Sequence, residues 1–303
     1  MQRNTLLDEL ARRPLCCDGA MGTQLFARGL ASGSCGMLWN VERPGDVGAI
    51  HLAYRDAGCD LITTNSFGGN RFALELHGLS ARAAEFNRAA AQVARAAAGD
   101  HGWVLGDVGP FGDFLEPVGD VTPDELREVF GAQIAALLDG GADAILVETM
   151  SDPAEAMVGV EAAKACNPAV PVIVTYAFQQ TAPGEFRTMM GTRVDEAVRR
   201  AHDAGADIVG ANCGTALSLD DYVVLAGQLV AAAAGALVIV QPNAGSPVIE
   251  NGHTVYRATP GEMAATAIRL LESGVRVIGG CCGTTPAHLA AMSRAVRQMA
   301  RPD

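Results

Sequence analysis

The sequence predicts an α/β protein, a single (β/α)8 TIM barrel that spans residues 1–303 as one domain. Three observations support this fold. Apolar strand-like segments alternate with helical segments eight times, the strand segments are apolar along their whole length, and a short glycine-containing phrase recurs before several strands. Continuously apolar strands are typical of a parallel sheet covered by helices. Eight such units in a chain of 303 residues suit one barrel.

The apolar runs place the eight strands along the chain. They cover residues 15–17, 61–65, 103–108, 144–147, 172–176, 208–210, 237–240 and 275–279. The helices are predicted at 82–98, 124–140, 152–166, 194–204, 219–233, 261–272 and 287–299. Two stretches, 179–192 and 243–256, are predicted to be irregular. A doubly wound sheet is the alternative fold, but no Gly-x-Gly-x-x-Gly motif follows the first strand.

The recurring phrase marks the boundary between helix and strand. The phrase is Gly-Cys-Asp at 58–60 and Gly-Ala-Asp at 141–143 and 205–207. A related phrase, Gly-Val-Arg, occurs at 274–276. A glycine at the end of a helix takes up the left-handed conformation that stops it. We therefore interpret the phrase as an internal repeat of the βα unit.

Charge and composition exclude several classes of function. The formal net charge of -12 argues against nucleic acid or an anionic membrane as a partner, because both require basic surface. The sequence contains no run of about 18 consecutive apolar residues, which a membrane-spanning helix requires. Its first residues lack the pattern of a signal peptide. We expect a cytoplasmic protein, in which the eight cysteines stay reduced and can act as thiolate ligands.

Three cysteines follow predicted strands. Cys281 and Cys282 stand between glycines after strand eight, and Cys213 follows strand six. The carboxyl ends of barrel strands meet at one mouth, and glycines permit the sharp turn that brings adjacent side chains to one site. We therefore predict that these three cysteines hold one zinc ion; three buried thiols in glycine-rich turns are the alternative. Cys16 and Cys17 lie within strand one and are predicted to be buried as small hydrophobic residues.

A zinc ion with three thiolate ligands indicates a particular chemistry. Three protein ligands leave one tetrahedral position open, as in catalytic sites. The net charge near −1 makes the ion a poor Lewis acid but suits it to a soft sulfur ligand. A thiol bound at the open position would lose its proton and stay nucleophilic at neutral pH. The sequence thus predicts alkyl transfer to sulfur.

Six motifs in order along the chain resemble the homocysteine S-methyltransferase family, most closely the homocysteine domain of cobalamin-dependent methionine synthases. The motifs are residues 18–23, 64–67, 148–150, 210–214, 242–245 and 279–284. They fall at matching barrel positions over nearly the whole chain. The resemblance implies that Cys213, Cys281 and Cys282 ligate zinc.

The resemblance also implies roles for residues that follow other strands. Asp18, the backbone of Gly19 and the side chain of Glu148 would recognise the amino-acid end of homocysteine, and Thr64 belongs to the same predicted set of substrate-binding residues. Asn243 would occupy the fourth zinc position before substrate arrives. The alternatives are a turn cap for Asp18, a rim salt bridge for Glu148 and a plain turn residue for Asn243.

The predicted function is zinc-dependent transfer of a methyl group to homocysteine, which gives methionine. The donor is either a small molecule such as S-methylmethionine, S-adenosylmethionine or betaine, or a separate corrinoid protein. The alternative is a stand-alone methyltransferase component of a corrinoid-dependent demethylation system with another substrate. A non-catalytic zinc-bearing barrel that only docks a corrinoid partner represents a different class, and it has no need of Asp18 and Glu148 at the mouth.

Overall fold

The computed structural model of the chain describes residues 5–250 and 253–299. Its helices are α1 (Leu6–Arg12), α2 (Gly22–Ala27), α3 (Trp39–Glu42), α4 (Pro44–Asp56), α5 (Arg71–Glu75), α6 (Ala83–Ala98), α7 (Pro123–Asp139), α8 (Pro153–Cys166), α9 (Val194–Asp203), α10 (Leu219–Ala232), α11 (Pro260–Glu272) and α12 (Pro286–Met299). Its strands are β1 (Leu15–Cys16), β2 (Leu61–Thr63), β3 (Trp103–Val108), β4 (Ala144–Met150), β5 (Val172–Tyr176), β6 (Phe178–Ala182), β7 (Glu185–Thr188), β8 (Ile208–Asn212), β9 (Leu237–Gln241), β10 (Val248–Glu250), β11 (His253–Val255) and β12 (Val277–Ile278).

Eight parallel strands form a barrel. Their order is β1-β12-β9-β8-β5-β4-β3-β2, so each strand pairs with its neighbour among the βα units. A parallel bridge between Cys17 and Leu61 joins β1 to β2 and brings the two ends of the sheet together. The amide of Asp60 also donates to the carbonyl of Cys16 at 2.7 Å across this seam. The predicted (β/α)8 TIM barrel is confirmed.

The local sequence explains where the surrounding helices begin. Thr122 and Thr259 each accept a hydrogen bond from the third residue of α7 and α11, and the glutamate at that third position bonds back to the cap amide. Proline occupies the first helical position in both, where its missing N–H costs nothing. In the sequence, these two helix starts are visible as the dipeptides Thr122-Pro123 and Thr259-Pro260.

The repeated glycine phrase fastens neighbouring strands together. Its glycines have positive φ values of 95° to 105° at residues 58, 141 and 205. The aspartate two residues later accepts a backbone hydrogen bond from the strand beside it: Cys16 to Asp60, Val104 to Asp143, and Val172 to Asp207. The predicted repeat therefore has a physical role, because each aspartate fixes the register of two adjacent strands.

The interior of the barrel changes character along its axis. Apolar side chains fill its lower part, including Leu61, Leu105, Leu146, Ile173, Ile208 and Ile239. Side chains alternate between the two faces of a strand, so residues two or four positions further on point to the same interior. Those residues are Thr63, Asp107, Glu148, Thr175, Asn212 and Gln241, which we call the polar layer. The polar layer lies at the carboxyl ends of the strands, where a barrel carries its chemistry.

The two stretches predicted to be irregular contain antiparallel hairpins. Strands β6 and β7 pair within 178–188, and β10 pairs with β11 within 248–255. Both follow barrel strands and project above the carboxyl ends. Their mixed polar sequence gives no apolar run, so the prediction of irregular structure was wrong there. The first, second and eighth barrel strands are also shorter than predicted, at Leu15–Cys16, Leu61–Thr63 and Val277–Ile278.

Among the helices that the structure describes, none is long and apolar enough to cross a membrane. The start of the chain, for which the sequence predicts no signal peptide, lies partly outside the described residues because these begin at residue 5.

Candidate active site

Three cysteine side chains converge above the polar layer. The Sγ atoms of Cys213, Cys281 and Cys282 all lie within 4.8 Å of one another. Those of Cys213 and Cys282 are 3.6 Å apart. No other group of three or more His, Cys, Asp or Glu residues with this spacing occurs in residues 5–250 and 253–299.

A tight turn after β12 presents two adjacent cysteines to the same site. The carbonyl of Cys281 accepts hydrogen bonds from the amide and hydroxyl of Thr284, at 3.1 and 2.7 Å. Gly283 has a φ of 78°, and a Cβ there would lie 2.2 Å from the ring of Tyr256. Glycine is therefore required at this position, both for its backbone conformation and for the close approach of the ring.

The third cysteine reaches the site through a left-handed residue. Cys213 has a φ of 48°, an uncommon conformation for any residue other than glycine. It turns the chain at the end of β8, so that Asn212 points into the barrel and the Cys213 thiol points at the other two. Uncommon backbone conformations of this kind cluster at functional sites.

The donor set fits a tetrahedral zinc ion. Zinc–sulfur bonds of about 2.3 Å at tetrahedral angles place two sulfurs about 3.8 Å apart. The distance between Cys213 and Cys282 agrees with that spacing. Hydrogen bonds from Cys213 and Cys281 lower the pKa of Cys282, whereas hydrogen bonds with Cys213 and Cys282 and burial raise the pKa of Cys281. Without a cation one thiolate forms at the expense of the others, and a divalent ion allows all three.

Asn243 lies beside this cluster. Its side chain is 4% exposed, and its Nδ2 donates to the carbonyl of Gly214 at 3.2 Å, next to Cys213. Its Oδ1 is buried and finds no hydrogen-bond partner among the described residues. A buried acceptor without a donor suits a cation or a hydrogen-bond donor from a ligand. The position fits the predicted occupancy of the fourth zinc site, which stays a prediction.

Asp18 is held firmly at the end of β1. Its carboxylate accepts hydrogen bonds from the amide of Thr63 at 2.9 Å and the hydroxyl of Thr63 at 2.7 Å. The side chain is only 2% exposed, and burial raises its pKa to about 7. Thr63 thus orients the carboxylate. We did not single out this residue among the predicted site residues.

Thr64, which we predicted as a substrate-binding residue, points away from the barrel interior. Its hydroxyl bonds to the hydroxyl of Ser66 at 2.6 Å and accepts from the amide of Asp107 at 2.9 Å. Both contacts lie outside the mouth and fasten the ends of β2 and β3. A direct role in binding substrate stays a prediction.

Gly19 is enclosed where β1 meets α12. A Cβ at this position would lie 2.5 Å from Oγ1 of Thr284 and 2.8 Å from the side chain of Leu289. The next amide, that of Ala20, donates to Oγ1 of Thr284 at 3.0 Å. The backbone beside Asp18 is therefore close to the cysteine turn. That role stays a prediction.

Glu148 is part of a hydrogen-bond network that the sequence did not reveal. Asn212, fully buried, donates from Nδ2 to Oε2 of Glu148 at 2.6 Å. Its Oδ1 accepts from the hydroxyl of Thr175 at 2.9 Å and from the amide of Thr149 at 3.1 Å. The carboxyl group of Asp107, on the adjacent strand β3, acts on Glu148, and burial raises the pKa of Glu148 to about 7.

The site therefore combines a soft metal-binding cluster with buried carboxyl groups. The buried carboxyl groups are those of Asp18, Asp107 and Glu148. The neighbouring groups that raise the pKa of Asp107 are themselves acids, Glu148 and Asp18. A ligand that brings a thiol and an ammonium group would complement both halves of this arrangement.

Comparison with known proteins agrees with this geometry. A family model described as homocysteine S-methyltransferase matches residues 15–296. The methionine synthase of Mycobacterium tuberculosis is 33% identical over 98% of this chain and 26% of that protein. The methionine synthase of Mycobacterium leprae is 32% identical over 96% of this chain and 25% of its own length. The chain thus spans about a quarter of the length of these relatives.

Solved structures agree as well. The metallated form of the homocysteine methyltransferase MmuM from Escherichia coli superimposes with a TM-score of 0.76 at 25% identity. The match covers 95% of this chain and 98% of that one. Since the family match extends from the first barrel strand to the last helix, the chain belongs to the homocysteine S-methyltransferase family.

Proposed function

We propose that the protein is a zinc-dependent methyltransferase that transfers a methyl group to the zinc-bound thiolate of L-homocysteine and so forms methionine. The observation that carries this proposal is the meeting of three cysteine Sγ atoms, within 4.8 Å of one another, with carboxyl groups in one barrel mouth. Family membership and the likeness to MmuM support homocysteine as the acceptor.

The proposed division of labour follows from the contacts. Cys213, Cys281 and Cys282 would hold the zinc ion, which lowers the pKa of a bound thiol and keeps the sulfur nucleophilic. Asp18 and Glu148 would bind the ammonium group of the acceptor, since both are buried carboxyl groups already oriented by Thr63 and Asn212.

Other residues would complete the acceptor site. The backbone at Gly19 would bind the acceptor's carboxylate; glycine is needed at this position because a Cβ would lie 2.5 Å from Oγ1 of Thr284. Asn243 would occupy the fourth zinc position until the thiol displaces it, because its Oδ1 is a buried acceptor without a partner among the described residues. The acceptor sulfur would then face the open side of the mouth, where the methyl donor arrives.

The donor and the setting complete the proposal. The donor is a small sulfonium or ammonium compound or a separate methyl-corrinoid protein, and an acidic chain does not repel a cationic donor. A cytoplasmic location would keep the thiols reduced. Residues 1–303 would act as one domain. The alternative is a component of a corrinoid-dependent demethylation system, in which the same zinc site activates another acceptor.

The test is formation of methionine by zinc-loaded protein. L-Homocysteine is supplied with S-methylmethionine, S-adenosylmethionine, betaine or methylcobalamin in separate reactions. At least one donor should give methionine, and Cys281→Ser should abolish the product with that donor. No methionine with any donor, from protein that binds zinc, would favour the demethylation system. A non-catalytic barrel is contradicted if Glu148→Ala raises the KM for homocysteine.

A further inference from the structure

Asp107 is a buried acid of the polar layer to which the proposed function assigns no task. It points into the barrel from β3, and its side chain is 3% exposed. Its Oδ1 has no hydrogen-bond partner within the described part of the chain. Asp107 pairs with Leu146 of the adjacent strand β4, and Glu148, two residues further on, brings its carboxyl group to the same part of the interior and acts on that of Asp107.

Two carboxyl groups in a buried contact cannot both be ionised. Ionised carboxylates only accept hydrogen bonds, so a hydrogen bond between the two requires one proton. A second charge in the same buried space would be strongly unfavourable. The described groups that act on Asp107 are acids, namely Glu148 and Asp18, and Glu148 in turn is influenced by Asp18 and Cys282.

The surrounding donors decide which of the two acids keeps the proton. Glu148 accepts a hydrogen bond of 2.6 Å from the Nδ2 of Asn212, which favours its ionised form. Asp107 has an oxygen without a donor and is almost fully buried, so its neutral form is favoured. Burial and the neighbouring Glu148 raise the pKa of Asp107 well above its usual range.

We propose that Asp107 is a neutral carboxylic acid that donates a hydrogen bond to the carboxylate of Glu148 and so positions it for the acceptor's ammonium group. Glu148 is then held from two sides, by Asp107 on β3 and by Asn212 on β8. This inference rests on the proposed function, because it assigns Glu148 to the ammonium. Asp107 is a positioning residue that acts through Glu148.

The test compares two substitutions that separate a neutral donor from a negative charge. Asp107→Asn keeps a donor of similar shape and cannot ionise, whereas Asp107→Ala removes the donor. Binding of L-homocysteine to zinc-loaded protein is measured by calorimetry over a range of pH. Asp107→Asn should bind within about threefold of wild type, and Asp107→Ala about tenfold or more weakly. The loss of binding at acid pH should move to higher pH in Asp107→Ala, because Glu148 loses a donor that stabilises its charge.

Two controls separate this role from a general loss of structure. The first is 4-mercaptobutanoate, which has a thiol but no amino group, and its binding should be the same in both variants and wild type. The second is Glu155→Gln, which should bind L-homocysteine like wild type. Glu155 is a buried acid that accepts a hydrogen bond from the amide of Phe111 and is not part of the polar layer. Asp107→Leu, which is close in shape to aspartate and has no donor, replaces Asp107→Ala if the latter does not fold.

A measurement without zinc addresses the proton itself. The infrared difference spectrum between wild type and Asp107→Asn should contain the carbonyl stretch of a protonated carboxylic acid at neutral pH. The inference is overturned if that band is absent, if Asp107→Asn binds homocysteine as poorly as Asp107→Ala, or if Asp107→Ala binds it like wild type. A wild-type protein that binds neither thiol overturns the proposed function as well.

Discussion

Asn212 is the centre of the hydrogen-bond network beneath the cysteine cluster, and its replacement by aspartate is the most informative single change. Its Oδ1 accepts two hydrogen bonds and its Nδ2 donates to Glu148 and to the hydroxyl of Thr149, at 2.6 and 2.7 Å. Asn212→Asp keeps the shape and both accepted bonds. The threonine hydroxyl can reverse its role and donate to the new carboxylate, so the short bond to Glu148 is lost, together with the weak contact of Nδ2 to Sγ of Cys281 at 4.0 Å.

The size of the effect follows from that lost bond. A hydrogen bond to a charged group contributes about 1.5–3 kcal/mol. At about 1.4 kcal/mol for each factor of ten, the kcat/KM for homocysteine should fall about ten- to 150-fold. The added carboxylate also raises the pKa of Glu148, so the decline of kcat/KM at acid pH should move upward from about pH 7.

The assay is steady-state methyl transfer from the donor that proves active, measured over pH with zinc content determined in parallel. The matched control is Asn87→Asp, because Asn87 is equally buried but donates to the carbonyls of Gly69 and Ala83 away from the mouth. That control should lose stability without changing the KM for homocysteine. An unchanged kcat/KM in Asn212→Asp, or an equal loss in Asn87→Asp, would refute the reasoning.

Three further predictions concern the metal and the fold. Cys281→Ser should lower the zinc bound per chain far below that of wild type by atomic absorption, whereas Cys166→Ser, at an exposed thiol, should not. His51 is fully buried, and burial lowers its pKa from 6.5 to about 4; the unfolded chain therefore binds a proton that the folded chain does not, and the contribution of His51 to stability should fall by about 2 kcal/mol from pH 7 to pH 5. Asp18 and Glu148, whose pKa values are raised, act in the opposite direction, so the measured quantity is the difference in unfolding free energy between wild type and His51→Leu in urea. That difference should change by about 2 kcal/mol over the two pH units, and a constant difference would contradict this assignment. Gly210→Ala would place a Cβ 1.8 Å from a backbone oxygen of β9 and should cost about 3 kcal/mol or prevent folding, whereas Gly227→Ala meets no atom within 4 Å and should leave stability equal or slightly higher.

Much of the fold could be predicted from the sequence because the signals are strong and repeated. Apolar strands recur along the chain, and three helix-ending glycines are followed two residues later by an aspartate. These aspartates, Asp60, Asp143 and Asp207, each accept a hydrogen bond from a backbone amide of the neighbouring strand. The convergence of Cys213 with Cys281 and Cys282 followed from one rule, that the carboxyl ends of barrel strands share a mouth.

The details of the candidate site were harder to predict because they depend on which way a side chain points. Thr63 faces the interior and orients Asp18, whereas Thr64 faces the surrounding helices and bonds to Ser66. The two threonines are adjacent, so an error of one position in the strand exchanges the two faces. The apolar run alone does not fix that parity.

For a related reason, the place of Asn212 at the centre of the hydrogen-bond network was not predicted. It belongs to one of the six motifs, but an asparagine next to a cysteine suggests a turn as readily as a buried hub. Its four strong hydrogen bonds link β4, β5 and β8, and such contacts between distant segments become visible only in three dimensions.

The most direct test of the proposed zinc site is the zinc X-ray absorption spectrum of the purified protein, with and without L-homocysteine. The account predicts three sulfur ligands and one light atom in the free protein, from Cys213, Cys281, Cys282 and Asn243, and four sulfur ligands after homocysteine is added. Three sulfur ligands both before and after homocysteine is added would contradict the proposed acceptor. A zinc shell without three sulfurs would contradict the site itself.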